Sequence, residues 1–452
     1  MNTSIMRLPL IPVIALVAVA AGIGLLVANT NYSWQGFLLV AAGLGIVAFI
    51  VIPRLARLES SGMLVRVLGI ALLAKFAFAM IRYWFAFGVY GGIADAGNYS
   101  YQGQLVAHYI RNLDFAPLGY YAHFGTRFVE LFTGIIYTFT GPSIYGGYLV
   151  YAFIAFLGSY FFYRAFEVAF PYGNKKLFLI LIFFFPSLLY WPNGIGKDAL
   201  IALFIGLTAY GTALFVRSHK RGLVMLIVGL SGTLCIRPFI VPIFAAALGL
   251  ALVVYIFGSR TTGKALHVVG LVAVVAAIWL LLPVVATFIR AEEFTPQALI
   301  SSFMQQQDYS YQGGSAFQVI DITDPFSFPV ALLTMPFRPF PWDAHNLQAL
   351  VQAIEGFLLL CLVAWRIRNV GRALSAIMAD PYMCFILVSI AGLLVGFSSI
   401  ANYGILVRER AMMLPFVLML LAYDRPPAVP ETGRQPVPRL NIASAPMNRK
   451  VV

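Results

Sequence analysis

Lys197, Arg237, Arg338, Arg408 and Arg410 interrupt apolar sequence in the stretches WPNGIGKDAL, CIRPF, FRPFPWDAHN and ANYGILVRER. Guanidinium forks and a lysine point charge match phosphate oxygens, and a low-dielectric wall strengthens such pairs. Acids are scarcer. Asp95, in IADAGNYSYQG, is the best-placed general base or binder of an acceptor hydroxyl. Asp343 beside His345 comes second, and Asp198 third, next to Lys197 in the phosphate-binding set. Tyr99, Trp191 and Trp342, with Tyr101, Tyr120 and Tyr121, supply rings that stack on sugars or sit at headgroup level. The chemistry these types suit is the holding of a lipid-linked phosphate while a hydroxyl is activated beside it.

Each element also has a structural reading. Asn193-Gly194 fits a plain hairpin turn, with Asp198 at the start of the next helix and Lys197 reaching outward. Arg237-Pro238 fits a kink, and FRPFPWDAHN an interfacial aromatic loop. Asp95 fits a helix N-cap for residues 97–111. Arg408 and Arg410 point to nearly opposite faces if helical, so at least one is structural or paired with Glu409. The functional reading rests on convergence of these interruptions on one face.

The elements that must position them are helices in a bilayer. Of 452 residues, 61% are hydrophobic and only 10% charged, and the mean hydropathy is +0.87, far from soluble globular usage. Apolar runs of about 20 residues, without the alternation of a membrane barrel, predict an all-α polytopic membrane protein. About twelve spans are expected near 8–28, 35–55, 67–90, 143–163, 176–192, 198–217, 222–236, 239–257, 264–288, 348–367, 382–400 and 405–423. Residues 127–140, with Arg127 and Glu130, read as an interfacial or re-entrant helix. Residues 1–423 form one transmembrane domain with outer loops 91–142 and 289–347, and 424–452 a disordered, Pro-rich, basic cytoplasmic tail. The first apolar stretch reads as a span rather than a cleaved signal, being long and followed at once by another.

The net charge of +13 matters here through its location rather than as a sign of nucleic-acid binding. Arg54, Arg57, Arg66, Arg164, Lys175, Lys176, Arg217, Lys220, Arg221, Arg260, Lys264, Arg366, Arg368 and Arg372 fall in one set of loops. The positive-inside rule puts that set and both termini in the cytoplasm, and the polar interruptions outside. The spans ending at Trp191 and Ile236 are short, so their outer ends lie below the membrane surface and line a vestibule. Cys235, Cys361 and Cys384 offer neither a disulfide framework nor zinc spacing, and His108, His123 and His345 occur singly, so no metal is expected. No P-loop, GxSxG or GxGxxG appears in context, and no cofactor is expected.

The order ADAGNY, GTRFVELFTGIIYTFTGPS, FFPSLLYWPNGIGKDAL, IRPF, GGSAF with FRPFPWDAHN, and NYGILVRERAMMLPF resembles bacterial multi-span surface-polysaccharide proteins related to GT-C glycosyltransferases and Wzy-type polysaccharide polymerases. The resemblance covers roughly residues 60–423. It implies a polyprenyl-phosphate-linked sugar donor, a glycan acceptor, a multi-pass place in the bacterial plasma membrane and partnership with polysaccharide assembly proteins. It also implies that Asp95 stands where the outer-loop catalytic acid of GT-C enzymes stands. The chain departs from that pattern: its loop follows the third span rather than the first, and no second acid accompanies Asp95. Polymerases and ligases, which use cations to hold a diphosphate leaving group, are nearer to its arginine-rich outer face.

The expectation is therefore a membrane glycosyltransferase or polysaccharide polymerase acting at the extracytoplasmic face. The rival is a flippase for lipid-linked oligosaccharide, which Lys75, near the middle of its span, keeps open.

Overall fold

The computed structural model describes residues 32–56, 62–92, 95–258, 265–289, 295–311, 315–317, 324, 326–344 and 347–424. Among them every regular element is helical, and the only β pairing is the isolated bridge Ala316–Asn402. The all-α expectation holds. The expected span 8–28 and the tail beyond Asp424 lie outside the described residues.

Five described helices are long and apolar enough to cross a bilayer: Ser33–Ala56, Met63–Val89, Ile144–Ala169, Lys197–Val216 and Pro238–Gly258. A sixth crossing arises if Ala349–Trp365 and Ile367–Ser375, bent by 70°, are one span. The remaining expected spans are weaker. Residues 176–192 break at Pro186 into Lys175–Phe184 and Pro186–Tyr190, because proline removes a helical donor and pushes the preceding Phe185 into extended backbone, φ −65° and ψ 131°. Arg221–Ile236 has 16 residues, roughly 24 Å of helix against a hydrocarbon core of about 30 Å. Pro381–Phe397 has 17 residues, and Tyr403–Ala422 carries Arg408, Glu409 and Arg410 within it. Length and apolar content thus mark five or six crossings among the described residues.

The centre of the bundle is the pair Ile144–Ala169 and Lys197–Val216. They approach so closely that a Cβ on Gly158 would lie 2.6 Å from the Ala202 backbone. Phe156, Phe162, Phe166, Phe183 and Phe416 fill the space around them. Residues 127–140 do form a short separate helix, Thr126–Thr140, packed on Asp95–Arg111.

Helix direction sorts the charges. The C-terminal ends of Gly62–Trp84 and Arg221–Ile236 meet the N-terminal ends of Asp95–Arg111, Lys197–Val216 and Tyr403–Ala422 through ion pairs among Arg82, Asp95, Asp198, Arg237, Arg408 and Glu409. Arg164–Glu167, Arg217–Asp380 and Arg366–Asp424 occupy the opposite ends of the helices they join. The polar interruptions in the sequence therefore gather at one pole of the bundle.

Candidate active site

Asp198 is the hub of that pole. It lies in the first turn of Lys197–Val216, where a carboxylate faces the positive end of the helix dipole. Its Oδ2 accepts from Arg408 Nε at 2.7 Å and lies 3.4 Å from Arg82 Nη2, while Oδ1 is 3.5 Å from Arg237 Nη2. Arg237 also pairs with Glu409. Four separate helices or helix ends are tied by one buried carboxylate and its arginines. Such a network is tolerated at low exposure because every charge has a partner.

Arg408 reaches further, to Asp95, with Nη1 3.6 Å from Oδ2. The Asp95 side chain is 67% exposed, so its carboxylate can still take a hydrogen bond from a ligand. Asp95 and Arg408 stand between two recesses and line both.

The first recess, about 280 Å³, is aromatic: Tyr90, Tyr99, Tyr148, Tyr190 and Trp191 wall it, with Arg82 at its base. Arg82 stacks near Trp191, its guanidinium carbon 5.7 Å from the ring centroid. Burial, followed by the nearby Asp95 charge, pushes the Tyr99 phenol up to about 12. It remains a neutral hydroxyl across the biological pH range. The second recess, about 210 Å³, is ionic, lined by Lys197, Arg237, Arg408 and Glu409 with Asp95, Ile236 and Phe239. Every arginine there is already paired with a carboxylate. Lys197 differs: its ammonium lines the recess near Asp95 and Glu409 but makes no side-chain ion pair or hydrogen bond with a described residue, which leaves it available to an anion.

The sequence-predicted residues divide accordingly. Asp95, Tyr99, Trp191, Lys197, Asp198, Arg237 and Arg408 come together at this pole. Arg410 does not. It is 1% exposed and bonds to Glu355 at 2.9 Å and to the carbonyls of Pro336 and Arg338 at 2.9 Å each. Glu355 also accepts from Ser187 Oγ at 2.6 Å, so Arg410 staples the last helix to the 336–338 turn and the Pro186–Tyr190 turn. Its expected role in holding phosphate is replaced by a structural one. Glu409, the expected neighbour for those arginines, pairs instead with Arg237.

Asp343, Arg338 and Trp342 line neither recess. Asp343 Oδ2 accepts from the Phe340 backbone at 3.0 Å, closing its own turn, and with Arg338 it bonds the Tyr403 hydroxyl. Trp342 is 76% exposed and stacks on Phe340. His345 lies outside the described residues.

The hairpin tip also differs from its expected form. Asn193 is fully buried, donating to the carbonyls of Lys75 and Leu189, rather than exposed at a turn. Gly194 packs closely on protein: a Cβ there would stand 3.1 Å from Tyr148 and 3.3 Å from Arg82. Lys75, fully buried, donates to Leu188 O at 3.0 Å. It holds the broken helix and lines neither recess.

Arg82, Tyr148 and Tyr190 are site members that sequence reasoning passed over, and Glu409 was expected only as a partner for Arg408 or Arg410. Arg82 had a usable signal, since it follows Lys75 by two helical turns and shares its face. Both reach the same segment, Arg82 Nη1 lying 3.5 Å from Tyr190 O. Among the described residues no group of three or more His, Cys, Asp or Glu side chains converges as a metal site would.

No protein-family model matches the chain, and neither the curated proteins nor the solved structures include one similar to it.

Proposed function

We propose that the protein is a membrane-embedded glycosyltransferase or polysaccharide polymerase of the bacterial plasma membrane, using a sugar or oligosaccharide donor linked to a polyprenyl phosphate or diphosphate. One observation carries this reading: an aromatic recess and an ionic recess meet at Asp95 and Arg408. Rings and a hydroxyl suit a sugar, an unpaired lysine beside arginines suits its phosphate, and the carboxylate stands at the junction where the sugar–phosphate bond would lie.

In the proposed reaction the acceptor hydroxyl donates a hydrogen bond to Asp95 and attacks the anomeric carbon. The bond from that carbon to the phosphate oxygen breaks, the electron pair leaves with the phosphate, and Asp95 takes the hydroxyl proton. Lys197 and Arg237 balance the negative charge on the leaving group, while Arg408 keeps Asp95 oriented. Asp198 holds the arginines in place and touches no substrate.

The polar pole faces outward in this reading, with about twelve spans and both termini cytoplasmic. That orientation follows from the lysines and arginines of the opposite pole. Polysaccharide assembly proteins would then deliver donor or take product.

The test is incubation of purified protein in liposomes with a panel of polyprenyl-linked sugar donors and a lipid-linked glycan acceptor. Transfer that is lost in Lys197→Ala supports the reading. Movement of donor across the bilayer without any bond formed would replace it with a flippase.

A further inference from the structure

A separate hollow of about 420 Å³ lies beside the aromatic recess, and nothing in the proposed reaction uses it. Trp34, Tyr83 and Tyr145 wall it, from three different helices, with Ser33, Gln35 and Leu38 at its rim. Trp34 stacks on Tyr145 with centroids 4.6 Å apart and planes 25° from parallel. Tyr145 in turn meets Tyr83 at 4.5 Å, their hydroxyls 3.2 Å apart. Tyr83 packs edge-on against Tyr148 at 5.5 Å, and Tyr148 is a wall of the aromatic recess. A continuous run of ring contacts therefore joins the wall of the reaction recess to the wall of the second hollow.

The rings differ from an interfacial aromatic belt, in which each side chain sits singly at headgroup level. Here rings from three helices pack on one another, Trp34 stacked on Tyr145 and Tyr83 tilted at 54° to it, beside an open space. Trp34 keeps 61% of its surface exposed, and the mutually bonded Tyr83 and Tyr145 hydroxyls edge the hollow. Flat apolar faces edged by hydroxyl groups suit a pyranose, whose C–H faces stack on rings while its hydroxyls seek donors and acceptors.

We infer that this hollow is a subsite for the distal sugar units of the glycan acceptor, so that the enzyme grips chains of several sugars and extends them. The inference rests on the proposed transferase reading and deepens it. The ring contacts set the relation of the two sites: the terminal acceptor hydroxyl lies at Asp95 and the distal sugars lie against Trp34, on the far side of Tyr148 and Tyr83.

The experiment compares lipid-linked acceptors of one sugar and of four or more, prepared by limited and extended reaction of the wild-type enzyme itself. Trp34→Ala and Tyr145→Ala should raise the ratio of long-acceptor KM to short-acceptor KM by about three- to tenfold, as expected for loss of a ring contact. The donor KM should not change, and Trp34→Phe should restore most of the ratio because it keeps a stacking face. Equal changes for long and short acceptors, or none, would overturn the subsite while leaving the transferase intact. Absence of transfer by the wild-type enzyme to any acceptor would overturn both.

Discussion

Asp198 Oδ2 and Arg408 Nε, separated by 210 positions in the chain, lie 2.7 Å apart. This bond aims Arg408 at Asp95 and ties the last helix to the central one. Asp198→Ala leaves Arg82, Arg237 and Arg408 facing each other without their shared carboxylate, at low exposure. The cost should be about 3–5 kcal/mol. Thermal unfolding in detergent should show a large loss of stability, with Asp198→Asn losing less than alanine because the amide oxygen still accepts hydrogen bonds. Unchanged melting of both variants would mean that the arginines are held by something else.

Arg410 and Glu355 provide a contrasting pair. Removing either alone strands a buried charge and should cost about 3–5 kcal/mol, whereas Arg410→Met with Glu355→Leu should recover much of it. The readout is the yield of folded protein and its melting temperature. The paired substitution should leave donor KM near the wild-type value. A large rise in donor KM in the stable double variant would return Arg410 to the binding site.

Lys197 and Arg237 should matter to donor use. Lys197→Ala or Arg237→Ala should weaken it by about 1.5–3 kcal/mol for each charge-assisted bond lost, roughly ten- to a hundredfold in donor KM. Arg237→Lys should recover only part, since a point charge does not reproduce a planar fork. Lys176→Ala is the control, exposed at the opposite pole. Donor kinetics that do not distinguish Lys197→Ala from Lys176→Ala would remove the ionic recess from the account.

Orientation has its own test. Leu113, 76% exposed in the segment after Met63–Val89, and Tyr172, 51% exposed after Ile144–Ala169, are separated by one crossing. Cysteine at Leu113 should react with an impermeant maleimide added to intact cells, and cysteine at Tyr172 only after lysis. Labelling in the reverse order would place the polar pole in the cytoplasm.

Much of the pole was legible in the sequence because charged residues within apolar runs are rare and must be accommodated. Asp95, Lys197, Arg237 and Arg408 stood out in that way. Their partners were less visible: Arg82 is embedded in a long apolar helix, and which acid Arg237 would meet depends on packing across 172 positions. Periodicity placed the helices, and the shortness of the run ending at Ile236 was visible in it, but hydropathy does not register that Pro186 breaks a run. Nor does charge alone separate Arg410, sealed against Glu355, from Arg408 two positions earlier. Only the helix face distinguishes them.

The most direct measurement of the central claim is single-turnover transfer from a radiolabelled polyprenyl-linked sugar by purified protein in liposomes, comparing wild type with Asp95→Asn. The account predicts transfer by the wild type and a fall of about 10²–10⁴-fold in the variant, with the fraction of donor bound unchanged. Wild-type transfer matched by Asp95→Asn would contradict it.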